Sequence, residues 1–247
     1  MKIPELKLCG LAAVRARFAR DAGSIQRLYF DYDTGRKVGV MCKALAAARK
    51  IYRCVEPAEL EKIAGTVHHG GIVAVVPEPV LRAPSTAEVA AWARGREAVV
   101  LLDRIGNAHN LGAIARTAGF LGVTRLVLPA QPGAALPGEA AYRVAEGGLE
   151  VVTLWRVPDL AKFARELAAA GYEVVGAATR GGRPEATSAP AAKPLALALG
   201  NEEHGLSAEV SAACTRLVTI PARGDVESLN VSVAAAILLW ELAGRRR

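Results

Sequence analysis

Residues 195–207 read LALALGNEEHGLS, and this stretch decides the fold. Five apolar residues in a row are typical of a strand that is covered on both faces, as in a parallel sheet. The strand leads into Gly200 and Gly205, where the missing side chain lets backbone amides face a ligand at close range. Glu202 and Glu203 lie between these glycines and either bind an amine or a ribose hydroxyl, or are simply solvated. We interpret His204 as a loop residue rather than a ligand.

The same pattern recurs on both sides of this stretch. Apolar runs predict further strands at residues 98–102, 126–128, 151–154, 173–178 and 217–220. Helical periodicity predicts helices at residues 111–121, 160–170, 207–213 and 229–243. Strands that alternate with helices indicate an α/β fold, with a parallel sheet and helices on both of its faces.

The first third of the chain has a shorter alternation of its own. Strands are predicted at residues 25–32, 51–55 and 72–76, and helices at residues 37–49 and 59–64. The stretch PEPVLRAPS (residues 77–85) then has three prolines in nine residues, which is typical of a linker. Ser85 and Glu88 form a candidate capping box for a short helix. We therefore predict a small α/β domain at 1–80, a linker at 81–96 and a larger domain at 97–247, in which ATSAPAA (residues 186–192) is a loop.

Composition excludes several classes of protein. The 247 residues are 52% hydrophobic, so the chain is long and apolar enough to bury a core. Four scattered cysteines with no Cys-x-x-Cys argue against a disulfide framework and a zinc knuckle. The absence of a His-Glu-x-x-His motif argues against a zinc hydrolase, so we expect no metal. Because no apolar run reaches ~18 residues and no signal-peptide core is visible, we expect no membrane contact and a cytoplasmic location.

The positive charge is concentrated in the first third of the chain. The net charge is +7, and residues 1–82 carry 14 Lys and Arg against 8 Asp and Glu. Residues 83–247 carry 17 against 16, and the tail at 245–247 supplies three of those cations. A basic first domain beside a near-neutral second one suggests docking on a polyanion, whereas ordinary solubility charge is the alternative.

Three common nucleotide and hydrolase sites are absent from the sequence. No two glycines are spaced as Gly-x-Gly, so the dinucleotide fingerprint is missing. Gly200 and Gly205 have P-loop spacing, but Leu206 stands where the phosphate-binding lysine is needed. No Gly-x-Ser-x-Gly elbow is present. The larger domain therefore needs another explanation for its strand-end loops.

Two further clusters also follow strands. DRIGNAHNLGAIARTAGFLG (residues 103–122) contains Asn110, a candidate N-cap of the helix at 111–121. Arg116 is the one cation of that helix, a turn and a half beyond Asn110, and is either a solvated residue or a phosphate ligand. IPARGDVESLNVSV (residues 220–233) contains Ser228, a candidate N-cap of the last helix, with Asn230 and Ser232 beside it. Polar groups at a helix N-terminus next to a strand end indicate a ligand site.

Taken in chain order, the three clusters resemble the motifs of the SpoU/TrmH class of SPOUT RNA methyltransferases. The resemblance covers residues 97–243. It implies an S-adenosyl-L-methionine-dependent ribose 2′-O-methyltransferase with a deep C-terminal trefoil knot, working as a homodimer through the knot and the last helix. The apolar character of that helix is equally explained by core burial.

Two other stretches bear on the resemblance. Gly10, Ala13 and Val14 with HHGGIVA (residues 68–74) look like the RNA-substrate-binding domain that precedes this catalytic domain, although its usual form is His-Gln-Gly-Ile. AEGGLE (residues 145–150) departs from the usual Ser-Ala-Gly-Ala before Leu-Glu and looks closer to the YfiF-like subgroup. The resemblance therefore implies an RNA partner, with the target nucleotide left open.

The resemblance also assigns residues. It implies a methyl-donor site formed by Leu199, Gly200, Asn201, Gly205, Ile220, Pro221, Ser228, Leu229 and Asn230. It implies catalytic residues Arg116, Asn110, Glu202, Ser228 and Asn230. We expect Arg116 to hold a phosphate and polarise the hydroxyl, with Glu202 orienting Arg116 or the donor; whether Arg116 takes the proton stays open. Ribosomal RNA is the favoured substrate, and a tRNA enzyme or a non-catalytic RNA-binding protein are the alternatives.

Overall fold

The computed structural model describes residues 4–179, 182–184 and 193–243. The predicted loop at 186–192 and the cationic tail at 245–247 lie outside these residues. The described chain forms two separate sheets, one from residues 5–77 and one from residues 99–219. Both are built from strands alternating with helices, so the predicted α/β class is confirmed.

The first sheet is mixed and has the strand order β1-β4-β2-β3. Its strands are β1 (Glu5–Cys9), β2 (Arg27–Phe30), β3 (Ile51–Cys54) and β4 (Ile72–Pro77). Its helices are α1 (Leu11–Asp21), α2 (Tyr32–Gly35), α3 (Gly39–Ala47) and α4 (Pro57–Ala64). β4 is antiparallel to β1 and β2, and β2 is parallel to β3.

Three elements of this region, β1, α1 and α2, are not predicted from the sequence. β1 has only three apolar residues, alternating with Glu5 and Lys7, and its pairing with β4 is a long-range contact. The buried residues of α1 are only Ala13 and Val14, and the arginines of the helix follow them, so its apolar stripe is weak. The other three strands and the two predicted helices of this region are confirmed within a few residues.

The second sheet is parallel throughout the described residues, with the order β7-β6-β5-β10-β8-β11-β9. Its strands are β5 (Val99–Leu102), β6 (Arg125–Pro129), β7 (Thr153–Val157), β8 (Glu173–Ala177), β9 (Arg183–Pro184), β10 (Leu195–Leu199) and β11 (Arg216–Thr219). Its helices are α5 (Thr86–Arg94), α6 (Ala108–Phe120), α7 (Glu139–Ala145), α8 (Gly148–Val151), α9 (Leu160–Ala169), α10 (Ala208–Ala213) and α11 (Val231–Leu242). β10, the apolar run at residues 195–199, is fully buried between β5 and β8.

Helices cover both faces of this sheet, as predicted. Along β5, Val100 and Leu102 face a core that includes α6 and α11, whereas Val99 and Leu101 face a core that includes α5, α9 and α10. Alternate side chains of one strand therefore enter opposite cores, which explains its unbroken apolar sequence.

One predicted strand was placed wrongly. Residues 151–154 were predicted as a strand, but Val151 ends α8 and the strand begins at Thr153. An apolar run of this length does not distinguish a strand from a short helix. The structure inserts α7 and α8 before β7, and neither helix was predicted.

Much of the predicted linker is a packed helix. α5 begins with the predicted capping box, in which Ser85 Oγ accepts from the Glu88 amide and the Glu88 side chain accepts from the Ser85 amide. Trp92 of α5 is buried against Trp155 of β7, with ring centroids 5.1 Å apart, and the Arg82 guanidinium lies 4.5 Å above the Trp155 ring. Residues 82–94 are therefore attached to the edge of the second sheet.

Candidate functional site

A cavity of about 460 Å³ opens at the carboxyl ends of β8, β10 and β11, next to α11. Carboxyl ends of parallel strands are the usual place for ligand sites in α/β proteins. Eight of the nine residues predicted for the methyl donor line it: Leu199, Gly200, Asn201, Gly205, Ile220, Pro221, Ser228 and Leu229. Glu202 also lines the cavity, whereas Asn230 does not. Sequence analysis missed the wall at 177–179, because Ala177, Ala178 and Thr179 carry no distinctive chemistry.

The loop after β10 is a tight backbone turn. The Asn201 amide donates to the Gly205 carbonyl over 3.0 Å, and the Gly205 amide donates back to the Asn201 carbonyl over 2.8 Å. A Cβ at Gly200 would overlap the backbone of Gly205 and Leu206, and Gly205 itself has φ +63°. Both positions therefore favour glycine, while the prediction that their backbone amides face a ligand stays a prediction.

Two neighbours that sequence analysis did not assign to the site hold this loop. The buried Asp103 carboxylate accepts a 2.6 Å hydrogen bond from the Ser207 amide. The Arg104 guanidinium donates to the Gly205 carbonyl over 3.0 Å, and the Asn201 side-chain amide donates to the Arg104 carbonyl over 3.3 Å. A charged residue directly after the apolar run of β5 was the signal that could have identified Asp103.

Asn110 has a different role from the predicted cap. Asn107 is the N-cap of α6, and its side-chain oxygen accepts from the His109 amide over 2.8 Å. Asn110 is buried in the first turn, where its side-chain amide donates to the Glu202 carboxylate and its oxygen accepts from Asn230. Three of the predicted catalytic residues are thus brought into one hydrogen-bonded chain.

The cap of α11 also differs from the prediction. Asn230, not Ser228, is the N-cap, and its side-chain oxygen accepts from the amide of Ser232 over 2.9 Å and from its hydroxyl over 2.6 Å. Ser228 is exposed and lines the cavity two residues earlier. Asn is as good a cap as Ser, and the contact with Asn110 favours the later start.

Arg116 lies outside the cavity lining. Its guanidinium forms a 2.9 Å ion pair with Glu146, and both side chains are more than half exposed. Glu202 bonds to Asn110 and Arg116 pairs with Glu146, so the structure does not support orientation of Arg116 by Glu202. Orientation of the donor, the other predicted role of Glu202, stays a prediction. The partner of Arg116 was not predicted from the sequence.

The cavity fits a medium-sized cationic ligand with an aromatic part. Its volume falls in the range of small-molecule sites, and its apolar walls include Ile220, Leu229 and Leu238. The charged residues of the lining are Glu202, Glu227 and Arg223, so the lining has a net negative charge. A sulfonium compound with an adenine ring, such as S-adenosyl-L-methionine, matches this combination of charge, apolar surface and close backbone approach.

Across 4–179, 182–184 and 193–243, no group of three or more His, Cys, Asp or Glu side chains could hold a metal ion. The helices in this part of the chain are too short or too polar to cross a membrane.

A family model described as the SpoU rRNA methylase family matches residues 97–240, more than half of the chain. The chain belongs to the SpoU rRNA methylase family. A second model, described as RNA 2′-O ribose methyltransferase substrate binding, matches residues 7–80. The resemblance inferred from the three motifs is therefore confirmed.

Individual SpoU relatives match nearly the whole chain. The 23S rRNA (guanosine-2′-O-)-methyltransferase RlmB of Ralstonia nicotianae is 34% identical over 97% of this chain and 95% of its own. YfiF of Escherichia coli O157:H7, named an uncharacterized tRNA/rRNA methyltransferase, is 32% identical over 96% of this chain and 67% of its own. YfiF is thus among the relatives, as the AEGG form predicted.

Solved SpoU-family structures share the fold. A putative TrmH-family RNA methyltransferase from Porphyromonas gingivalis superposes with a TM-score of 0.76 at 25% identity, covering 98% of this chain and 90% of its own. AviRb of Streptomyces viridochromogenes, solved with AdoMet, gives a TM-score of 0.77 at 24% identity with the same coverage.

Proposed function

We propose that this chain transfers a methyl group from S-adenosyl-L-methionine to a ribose 2′-hydroxyl of structured RNA, ribosomal RNA in the first place. The observation that carries the proposal is the cavity at the ends of three strands. The loops of two predicted motifs line this cavity, and Asn110 of the third motif bonds to Glu202 in its wall. The choice of ribosomal RNA is supported by the RlmB relatives, which match this chain over almost its full length.

The cavity is proposed to hold the methyl donor. Gly200 and Gly205 have no side chains, so the backbone of the turn is uncovered at these two positions. Ile220 and Leu229 supply apolar surface for an adenine ring. When bound, the donor supplies an electrophilic methyl group on a positively charged sulfur. Glu202 lines the cavity and its carboxylate accepts from the Asn110 side-chain amide, so a negative charge is held at the cavity wall beside the proposed ligand.

Arg116 is proposed to act on the RNA. A guanidinium keeps its proton at all ordinary pH values, so Arg116 is a poor base. Its parallel N–H groups suit a phosphate oxygen, and its charge stabilises negative charge that develops on the 2′-oxygen. Asn110 and Asn230 are proposed to hold α6, which carries Arg116, and the loop before α11 in place. The proton of the attacking 2′-hydroxyl leaves to solvent or to a neighbouring group of the RNA.

The domain division and the knot belong to the same proposal. We assign residues 1–80 to RNA binding and 97–247 to catalysis, with α5 packed on the catalytic sheet; the family models at 7–80 and 97–240 support this division. A deep trefoil knot at the carboxyl end is supported by the motif resemblance. It agrees with a late strand, β10, inserted between β5 and β8, and with α11 packed on α6 and β10.

A homodimer is proposed through α11. Val233, Ile237 and Trp240 lie on one face of this helix and are exposed, and Phe120 at the end of the neighbouring α6 is 87% exposed. Large exposed apolar side chains on two adjacent helices suit burial against a second copy about a two-fold axis.

The basic first domain is proposed to bind RNA through phosphate contacts in the cytoplasm, with no metal and no membrane.

Two measurements test the proposal. Calorimetric titration with S-adenosyl-L-methionine is expected to show one site per chain, whereas a non-catalytic RNA-binding protein with a damaged donor site would show no heat of binding. Mapping of 2′-O-methyl groups in total RNA from strains with and without the gene is expected to reveal a missing ribosomal RNA site. A site missing from tRNA instead would transfer the assignment to tRNA.

A further inference from the structure

The turn between α7 and α8 contacts the helix that carries Arg116. Glu146 follows α7 with φ +43°, in the left-handed region that is unfavourable for residues with a Cβ. From this position its carboxylate reaches the Arg116 guanidinium at 2.9 Å. A strained non-glycine residue whose side chain pairs with a proposed catalytic group points to a function for that side chain.

The backbones on which the two side chains are mounted are fixed relative to each other. A Cβ at Gly148 would lie 2.6 Å from Cα of Arg116 and 2.8 Å from its nitrogen. Gly112, one turn earlier on α6, packs against the Ala141 carbonyl of α7 in the same way. Glycines on both elements allow direct backbone contact, so the position of Glu146 relative to Arg116 is set by rigid packing.

The first domain supports the same turn from the other side. A Cβ at Gly147 would lie 3.0 Å from the Ala16 side chain of α1. Glu150, on α8, is buried and pairs with Arg17 of α1 at 2.8 Å. The turn that carries Glu146 is therefore held between α1 and α6, with little freedom to move away from Arg116.

The carboxylate is also a departure of this sequence. AEGGLE at 145–150 places Glu146 where the usual Ser-Ala-Gly-Ala form of the resemblance has an alanine. An alanine cannot pair with a guanidinium, so the contact is additional to the general site of the family.

We propose that Glu146 is a positioning residue for Arg116 in the methyl transfer; this rests on the role of Arg116 under the proposed function. The ion pair engages one Nη group of the guanidinium. The remaining N–H groups stay available for a phosphate oxygen and for the attacking hydroxyl. A long, flexible arginine side chain is thereby held in one orientation before RNA binds, which reduces the ordering that the transition state requires.

A role in folding does not explain the pair. Both side chains are more than half exposed, and exposed ion pairs contribute little to stability. The residue also adopts a conformation that glycine would adopt more readily. The effect of Glu146 is therefore expected on transfer rate rather than on unfolding.

The test measures methyl transfer by Glu146→Ala, Glu146→Gln and Glu146→Gly on RNA from a strain lacking the gene, with labelled S-adenosyl-L-methionine. We expect kcat to fall about tenfold in the Ala and Gly variants and less in the Gln variant, which keeps a hydrogen-bonding oxygen. KM for RNA and the Kd for the donor are expected to stay within about twofold of wild type. The Gly variant suits the left-handed backbone, so it provides a folded protein without the carboxylate.

Glu166→Gln on α9 is the matched control. It removes an exposed ion pair with Lys162 on α9, which packs on the opposite face of the sheet from α6, and is expected to leave kcat and KM unchanged. Wild-type kcat in the Ala and Gly variants would overturn the proposal. So would a lower KM with unchanged or higher kcat, because Glu146 would then shield Arg116 from phosphate rather than position it.

Arg116→Ala distinguishes the role of Arg116 in transfer from the positioning role of Glu146. It is expected to abolish transfer while keeping donor binding. If it transferred at the wild-type rate, the role of Arg116 in the proposed function would be wrong. If it were inactive while all Glu146 variants were fully active, only the positioning role of Glu146 would be wrong.

Discussion

The side-chain amide of Asn230 donates a 3.1 Å hydrogen bond to the side-chain oxygen of Asn110, and so joins the first turn of α11 to the first turn of α6. Asn110 passes the connection on to Glu202 in the loop after β10. Three segments that are distant in the chain are therefore linked beside the cavity. The position of the loop after β10 is therefore linked to the helix that carries Arg116.

Asn110→Ala tests this linkage. The change removes both hydrogen bonds, and each part-buried bond contributes about 1 kcal/mol. We expect the affinity for S-adenosyl-L-methionine, measured by calorimetry, to fall about tenfold, because Glu202 loses its support. Asn107→Ala is the control: it removes the cap of the same helix and lowers the free energy of unfolding by about 1 kcal/mol, with unchanged donor affinity. Wild-type donor affinity in Asn110→Ala would contradict the linkage.

Gly200→Ala tests the backbone turn. A Cβ there would overlap the backbone of Gly205, so the loop has to move away from its position against the cavity. We expect donor binding to weaken by about a hundredfold or more, while the fold stays intact. Gly138→Ala is the comparison, because its Cβ would meet nothing within 4 Å at an ordinary φ of −86°. Equal donor affinities for the two variants would show that the turn does not shape the site.

Glu150→Gln tests the electrostatics of the contact between α1 and α8. Burial raises the pKa of the Glu150 carboxyl above its usual value of 4.5, although Arg17 opposes this rise. The folded state therefore favours the protonated form, so the stability from this group is present below about pH 4.5 and is lost as the pH rises through the folded-state pKa. Glutamine cannot ionise and lacks this loss.

The prediction concerns the difference between the two proteins. In urea unfolding between pH 4.5 and 8, the free energy of unfolding of the Gln variant minus that of wild type is expected to increase with pH and then level off. A difference that decreases with pH would mean that attraction to Arg17 outweighs the burial of the charge.

Trp240→Glu tests the proposed dimer. Trp240 is 54% exposed on α11, and a carboxylate at this position would have to be buried in an apolar interface. Sedimentation at micromolar concentration is expected to give a dimer for wild type and a monomer for the variant. Val80→Glu is the control, because Val80 lies before α5 and is 93% exposed, and this variant is expected to remain dimeric. Trp92→Glu does not serve as a control because Trp92 is a core residue. A monomeric wild-type protein would contradict the proposed homodimer.

The sequence predicted the strands and the cavity better than the helix ends. Unbroken apolar runs such as residues 195–199 identify strands covered on both faces, and polar residues after them identify the ligand edge. Caps are harder, because Asn107 and Asn110 are both good caps, as are Ser228 and Asn230. The choice between them depends on a tertiary partner, and no local pattern shows that Asn110 bonds to Glu202 and Asn230.

The partner of Arg116 was unpredictable for a related reason. Glu146 lies thirty residues after Arg116 in the chain, and β6 and α7 come between them. The sequence spacing of these elements does not show how they pack against α6. The contact exists because the turn is left-handed and because Gly148 allows the two backbones to touch. Only the unusual AEGG form marked the place, without saying what its carboxylate contacts.

The central place of β10 has a consequence for biosynthesis. A nascent chain that has emerged through residue 194 contains β5 and β8 but lacks the strand that separates them. The first sheet is complete at Pro77 and is able to form early, whereas the second sheet keeps two unpaired inner edges until nearly four-fifths of the chain has left the ribosome. Deletions from the carboxyl end that reach Leu195 would remove all of β10, and would therefore divide the second sheet between β5 and β8 instead of shortening its edge.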